Sequence, residues 1–379
     1  MKLKLKATQE QMELIKAIGN KDVTESRKAQ DMLAAFIAGV VSKVLLQAST
    51  LSPIYTDLPY NEDDDPSIPL DLFYDQTRTQ WVTVWMQNLA GGLPTSQVEG
   101  VAEMKIATYR LDSAVSFAKK YARRSRLDVI AKAVERMAQE ILIKQNLNGW
   151  AVILRALAEA STNSLGHTVR TTTRQVLLLS DISKLITRMR RLNTSWNGGT
   201  PTVLDSVGVT DLFVSPEIKE QIRAFAYNPM NTRAGPAGTE GTPHGSSVGI
   251  PLPDAMREEI YRNAGAVEIY GINLSDLNEL GVSQTYNQLF GTFATGNIAT
   301  GTSGSAEAFV YTTHEVLVGF DLSREAFVRP VAQNAESGAT VTTMTDDQWV
   351  VRSDKAGYYT SIDEGRCCLA SAGVCGIIA

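Results

Sequence analysis

Residues 105–121, KIATYRLDSAVSFAKKY, change their period in the middle. Ala107, Tyr109 and Leu111 alternate with Thr108, Arg110 and Asp112, which predicts a half-buried strand. Past Ser113 the alternation drifts. By Leu127 the apolar residues recur at helical spacing, with Leu127, Ile130, Val134, Met137 and Ile141 in one stripe and Lys132, Glu135, Arg136 and Gln139 opposite. The spacing predicts a strand feeding a long helix that begins between Ser113 and Ser125 and stops before Asn148-Gly149. An enzyme with such a junction needs chemistry near the strand end, and none stands here.

On the N-terminal side the chain is unusual. QEQMELIKAI places Met12, Ile15 and Ile18 at helical spacing, and the next helix, through Met32, Phe36, Val40 and Val44, is apolar almost all round. That helix must be covered, by its own core or by a neighbouring subunit. From Leu51 to about Val101 the character shifts. LSPIYTDLPYNEDDDPSIPLD carries four prolines and an acidic run, so it is extended and barred from a central strand. QWVTVWM gives a short strand with Trp81 and Trp85, and LAGGLPTSQVEG is a turn-rich return. A stretch this long with few core signals exceeds an ordinary connection and points to a segment that projects to touch a partner.

On the C-terminal side, helices give way to strands. LLLSDISKLITRMRRLN predicts a helix with Ser180 as N-cap, and TDLFVSPEIKEQIRAF a short buried strand, Leu212 to Val214, then a helix capped at Ser215 with Pro216 first. A long Gly/Pro loop spans Asn228 to Pro253. Strands dominate from AVEIYGINL onward. Helices early and strands late, with crossings between, define an α+β class.

Composition excludes several functions. Hydrophobic residues at 44% and charged residues at 20% suit a folded chain, not a disordered one. A net charge of −5 leaves no overall footprint for gripping nucleic acid, so any basic patch is local. The candidates are Arg123, Arg124 and Arg126, then Arg188, Arg190 and Arg191. No apolar run approaches a membrane span. Cys367, Cys368 and Cys375 are a poor disulfide or zinc set and read as small apolar residues in a terminal strand.

Catalytic motifs fare no better. GSSVG, residues 245–249, matches the nucleophile elbow around Ser247, with His314 as a possible base. The elbow needs a strand before the serine and a helix after it, and here a Gly/Pro loop precedes while Pro251 and Pro253 follow. No phosphate-binding loop, zinc-protease helix or C-x-x-C occurs. His167, His244 and His314 read as loop or strand-surface residues. Asn61 to Asp65, NEDDD, lacks the glycine and closing glutamate of a calcium loop and reads as a solvated or partner-facing acidic tip. No cofactor and no metal site are expected.

This order of elements resembles the major capsid proteins of tailed bacteriophages, the Hong Kong 97-like fold. The resemblance covers the whole chain and implies an N-terminal arm at 1–50 and a projecting E-loop at 51–105. It implies a peripheral domain with a long spine helix at 106–175 and 331–379, and an axial domain at 176–330. The implied function is a non-enzymatic subunit that self-assembles, through pentamers and hexamers, into an icosahedral virion shell built in the host cytoplasm. The shell encloses double-stranded DNA without sequence-specific binding or membrane contact, and portal, scaffolding or decoration proteins are further partners. Inter-subunit contacts are expected at Glu62, Asp63, Asp64, Asp65, Trp81, Trp85, Arg123, Arg124 and Arg126. Some relatives cross-link lysine to asparagine, but nothing here identifies such a pair. The alternatives are an encapsulin nanocompartment, a portal or tail component, and a serine hydrolase using Ser247.

Overall fold

The structure, a computed structural model, describes residues 9–20, 22–48, 50–61, 64–70, 102–124, 127–162, 166–194, 208–227, 268–323, 325–334, 340–345 and 355–379. They fall into two compact units. One draws on Met1–Pro69, Ala102–Gly149 and Phe327–Cys367, the other on Leu70–Val101, Trp150–Ala326 and Cys368–Ala379.

The first unit is organised by the strand Lys355–Gly365. Along one edge it pairs antiparallel with Thr108–Ala118 over its full length, from Lys355 opposite Ala118 to Gly365 opposite Thr108. Its other edge takes Thr342–Thr345 antiparallel and meets Phe327–Gln333 where Val331 faces Glu364. Phe327–Gln333 in turn carries Tyr55–Asn61 as a parallel outer strand, in register from Tyr55 and Phe327 to Asn61 and Gln333. Pro59 is tolerated because its strand lies at the edge of the sheet.

Against this sheet lie the helices Gln9–Ile18 and Val23–Ala48 and the first part of the long helix Leu127–Thr162. Ile15, Ile18, Leu33, Ile37 and Val41 share one core with Val134, Met137, Ile141, Phe117, Tyr358 and Ile362. The apolar second helix is therefore covered, on this face, by its own chain. The stripe that faces the core is Ala29, Leu33, Ala34, Ile37 and Val41, while Met32 and Phe36 stand on the exposed side, 65% and 41% accessible.

Two expectations at the strand-to-helix junction are corrected. The strand does not end near Ser113 but runs to Ala118, followed by the short helix Lys119–Arg123, and the long helix begins at Leu127. The alternation fades because only Phe117 of this strand is fully buried, so apolar residues are not demanded on one face. Nor does Asn148-Gly149 stop the helix, which continues to Thr162. Gly149 is a contact residue: a Cβ there would collide with Leu51 Cδ1.

The second unit is built on a sheet in which Thr168–Arg170 lies parallel to Val374–Ile378. Next come Val316–Phe320, Asp211–Val214, Ile272–Asp276 and Glu268–Ile269. The last two form a hairpin whose turn, Tyr270-Gly271, has φ of 55° and 78°, the left-handed pair that a two-residue hairpin turn demands. Leu179–Thr194 and Pro216–Tyr227 supply Ile182, Leu185, Met189, Ile218 and Ile222 to its core. Ser215 caps the second of these helices, its Oγ accepting from the Ile218 N–H at 3.1 Å. Leu179–Thr194 starts two residues earlier than expected, with the buried Asp181 carboxylate turned back to accept from the Leu178 N–H. Trp150 is fully buried among Phe213, Tyr286 and Phe320, with ring centroids 5.3–6.1 Å apart. The architecture of both units is α+β.

His167 and His314 are not surface residues: they are 3% and 0% exposed. His167 Nδ1 lies 2.9 Å from the Val374 carbonyl, and burial lowers its pKa. His314 Nδ1 accepts from the Val310 N–H at 3.0 Å, so its proton sits on Nε2, which donates to Glu307 Oε1 at 2.8 Å.

Candidate functional site at the foot of the loop

The chain leaves the first unit through Ser67–Leu70 and returns through Ala102–Lys105, and these two strands pair with each other. The Ile106 N–H donates to the Pro66 carbonyl at 3.0 Å, closing the foot. Residues 71–101, with Trp81 and Trp85, lie outside the described residues, as do Glu62, Asp63, Arg126 and the Arg123 side chain. Asp64 and Asp65 are described, and they stand at the foot and not at a tip. Asp65 faces Lys105 of its own chain at 3.4 Å, both more than 70% exposed, an arrangement worth about 0–1 kcal/mol. Arg124 is exposed at the end of the short helix that follows the strand.

The foot is anchored by a buried carboxylate. Glu364 is 0% exposed and sits near the end of the central strand. Its Oε2 accepts from Arg329 Nε at 2.8 Å and from Gln145 Nε2 at 3.0 Å, and its Oε1 accepts from the Tyr109 hydroxyl at 2.9 Å. Arg366 NH2 lies 3.4 Å from each oxygen. Burial first, and then the Glu364 charge, push the Tyr109 hydroxyl up to about 12. Arg329 also reaches Asp57 Oδ1 on the outer strand at 3.4 Å. The Arg366 guanidinium lies 4.6 Å from the Tyr55 ring centre, and the Tyr55 hydroxyl donates to the Gly149 carbonyl at 2.8 Å. Two guanidinium groups and one carboxylate thus tie the long helix, the central strand, the junction strand and the outgoing limb of the loop together.

None of Glu364, Arg329, Arg366, Gln145 or Asp57 was singled out from the sequence, and Tyr109 was read only as a strand residue. One signal was present: in GYYTSIDEG the alternate positions Tyr358, Thr360, Ile362 and Glu364 point inward, so the last of them puts a charge where an apolar residue is expected. A surface cleft beside the foot is lined by Leu58, Tyr60, Ile68, Ile106 and Pro330 with Asp64 and Asp65 at its rim. It combines apolar area with carboxylates, and among the described residues it brings no nucleophile and base together. Among the described residues no group of three or more His, Cys, Asp or Glu stands placed to hold a metal. Ser247 and His244 lie outside the described residues.

Compared with protein-family models, the chain matches none. Compared with curated proteins, it likewise matches none. Solved structures do match. The capsid structure of cyanophage P-SCSP1u is 11% identical over 85% of each chain, with a TM-score of 0.50. The mature capsid of bacteriophage PhiM1 is 12% identical over 87% of this chain and 86% of that one, at 0.47. The capsid of an empty gene transfer agent particle is 9% identical over 88% and 90%, also at 0.47. At such identities likeness speaks for the fold, and the first of these carries it. The chain has a capsid-protein fold. More narrowly, it is an α+β fold shared with a cyanophage capsid structure.

Proposed function

We propose that this chain is the major capsid protein of a tailed bacteriophage. It self-assembles into the icosahedral shell that encloses the double-stranded DNA genome, and its place is the virion after assembly in the host cytoplasm. The observation that carries the reading is the shared fold over 85% of both chains with a phage capsid structure. The anchored foot at Glu364 supports it, since a loop that grips a neighbour needs a base that does not yield. The role is non-enzymatic. In keeping with that, both ring nitrogens of His314, the base that a Ser247 hydrolase would need, are engaged inside the protein.

In this reading residues 1–50 are the arm and 51–105 the E-loop. Residues 106–175 with 331–379 form the peripheral domain, and 176–330 the axial domain. The chain's main partner is itself, through pentamers and hexamers whose stability lies largely between subunits. Portal, scaffolding and decoration proteins are further partners. The acidic residues Asp64 and Asp65, with Glu62 and Asp63, and the arginines Arg123, Arg124 and Arg126 are contact residues between copies. Trp81 and Trp85 belong to the same contacts.

The test is assembly of the purified chain, followed by sedimentation velocity across salt and protein concentration. Species far larger than a hexamer are expected, dissociating on dilution into subunits or capsomers. A stable monomer under every condition, together with virions that lack the chain, would remove the proposal.

A further inference from the structure

The helix Leu179–Thr194 of the second unit is amphipathic. Its inner stripe, Ile182, Leu185 and Met189, is buried. Its outer stripe is Lys184, Arg188 and Arg191, spaced i, i+4, i+7, a run of cations about 10 Å long on one face. This stripe lines a shallow cleft with Val169 and Ser183. Arg188 and Val169 also line a second cleft of about 500 Å³, which continues past Arg170 and Thr172 to Asn297. Among the described residues, no carboxylate lines either cleft. Arg170 and Arg188 are exposed, and among the described residues neither joins an ion pair. Lys184 shares Asp181 yet keeps half its side chain in water. In a chain of net charge −5, four cations along one continuous groove are a local inversion of sign.

We propose that this groove is a phosphate-binding track for nucleic acid, holding the sugar–phosphate backbone without reading bases. The inference rests on the shell reading, which supplies an enclosed DNA. Guanidinium and ammonium groups with neutral donors are the set that contacts phosphates, and such contacts position a duplex without carrying sequence information. A peptide partner fits less well: among the described residues the lining offers only Val169 and Ile298 as apolar surface and no aromatic residue.

The test uses the full-length protein, both unassembled and as particles, with fluorescein-labelled duplexes of unrelated sequence and anisotropy across a salt series. Duplexes of different sequence should bind alike, with log K falling linearly in log salt. The variant K184A/R188A/R191A should lower that slope by about 2–3, because each phosphate contact contributes about 0.9. The variant K132A/R136A/K144A removes the same number of charges from the exposed side of the long helix and should leave the slope unchanged. Should the first variant fold poorly by thermal melt, K184Q/R188Q should still lower the slope by about 2, and R188K/R191K should retain it. An unchanged slope in the groove variants overturns the proposal, as does an equal fall in the control. Competition by polyglutamate as strong as by DNA overturns it in favour of an acidic protein partner. Sedimentation of the same samples separates the two readings: normal particles with an unchanged slope end the groove and leave the shell, whereas a folded groove variant that no longer assembles makes the stripe a subunit contact and ends the groove too.

Discussion

Glu364 has no water to solvate it, so its stability depends on the donors that converge on it. Removing the carboxylate takes the partner from Arg366, only 3% exposed at its side chain, and leaves Arg329 with the longer contact to Asp57. Breaking a buried pair in this way costs about 3–5 kcal/mol. Glu364→Ala is therefore expected to lower the thermal and denaturant stability of the chain by that amount. Tyr109→Phe removes one hydrogen bond and is expected to cost about 1–2 kcal/mol. Equal, small losses in the two variants would mean that the cluster does not hold the foot. Glu315 presents the opposite case. It is 3% exposed with its Oε1 unpaired, and burial above all, with Glu217 adding, raises its pKa to about 7, while the Ser215 hydroxyl pulls it down. A carboxyl raised in the folded state stabilises at low pH and loses that contribution as pH rises through 7. The loss amounts to about 3 kcal/mol by pH 8. Glu315→Gln should flatten the stability profile between pH 5 and pH 8, read by urea melts at both values. A variant that keeps the wild-type slope contradicts the assignment.

Among the elements, those decided by local pattern were legible. Ser215-Pro216 announced its helix, and Val134, Met137 and Ile141 gave the buried stripe of the long one. Elements decided by distant partners were not. Thr108–Ala118 is a strand to its end because Lys355–Gly365, some 240 residues on, pairs with every residue of it. Asn148-Gly149 looks like a stop only while Leu51 is unseen. The contact is testable by a double-mutant cycle. Gly149→Ala gains about 1 kcal/mol of helix propensity but overpacks Leu51, and is expected to cost about 1–2 kcal/mol net. In a Leu51→Ala background the same change should turn neutral or stabilising. A cost that is the same in both backgrounds would place the origin elsewhere. The candidate site was less legible still, since only Arg366 is a near neighbour of Glu364 in sequence, while Arg329, Gln145 and Tyr109 come from 35 to 255 residues away and share no local signature.

In the proposed shell, the acidic stretch Glu62–Asp65 serves contacts between copies. Among the described residues, Asp65 pairs with an exposed lysine at the foot, a contact worth about 0–1 kcal/mol to a single chain. Replacing Asp63, Asp64 and Asp65 with lysine should therefore leave circular dichroism and the protease-resistant core of the subunit nearly unchanged. It should nonetheless block or deform assembly, where a small loss recurs at every interface. Unfolding of the subunit, or normal particles, would contradict that expectation. The resemblance seen in the order of elements named the fold, while the foot and its carboxylate emerged only from pairings that span the chain.

Cryo-electron microscopy of particles assembled from the purified chain shows directly whether it forms a shell. A closed icosahedral shell is expected, in which every subunit has the two units described here and residues 71–101 lie on a neighbouring subunit. Open aggregates, or a shell in which residues 71–101 stay on their own subunit, would contradict the proposed function.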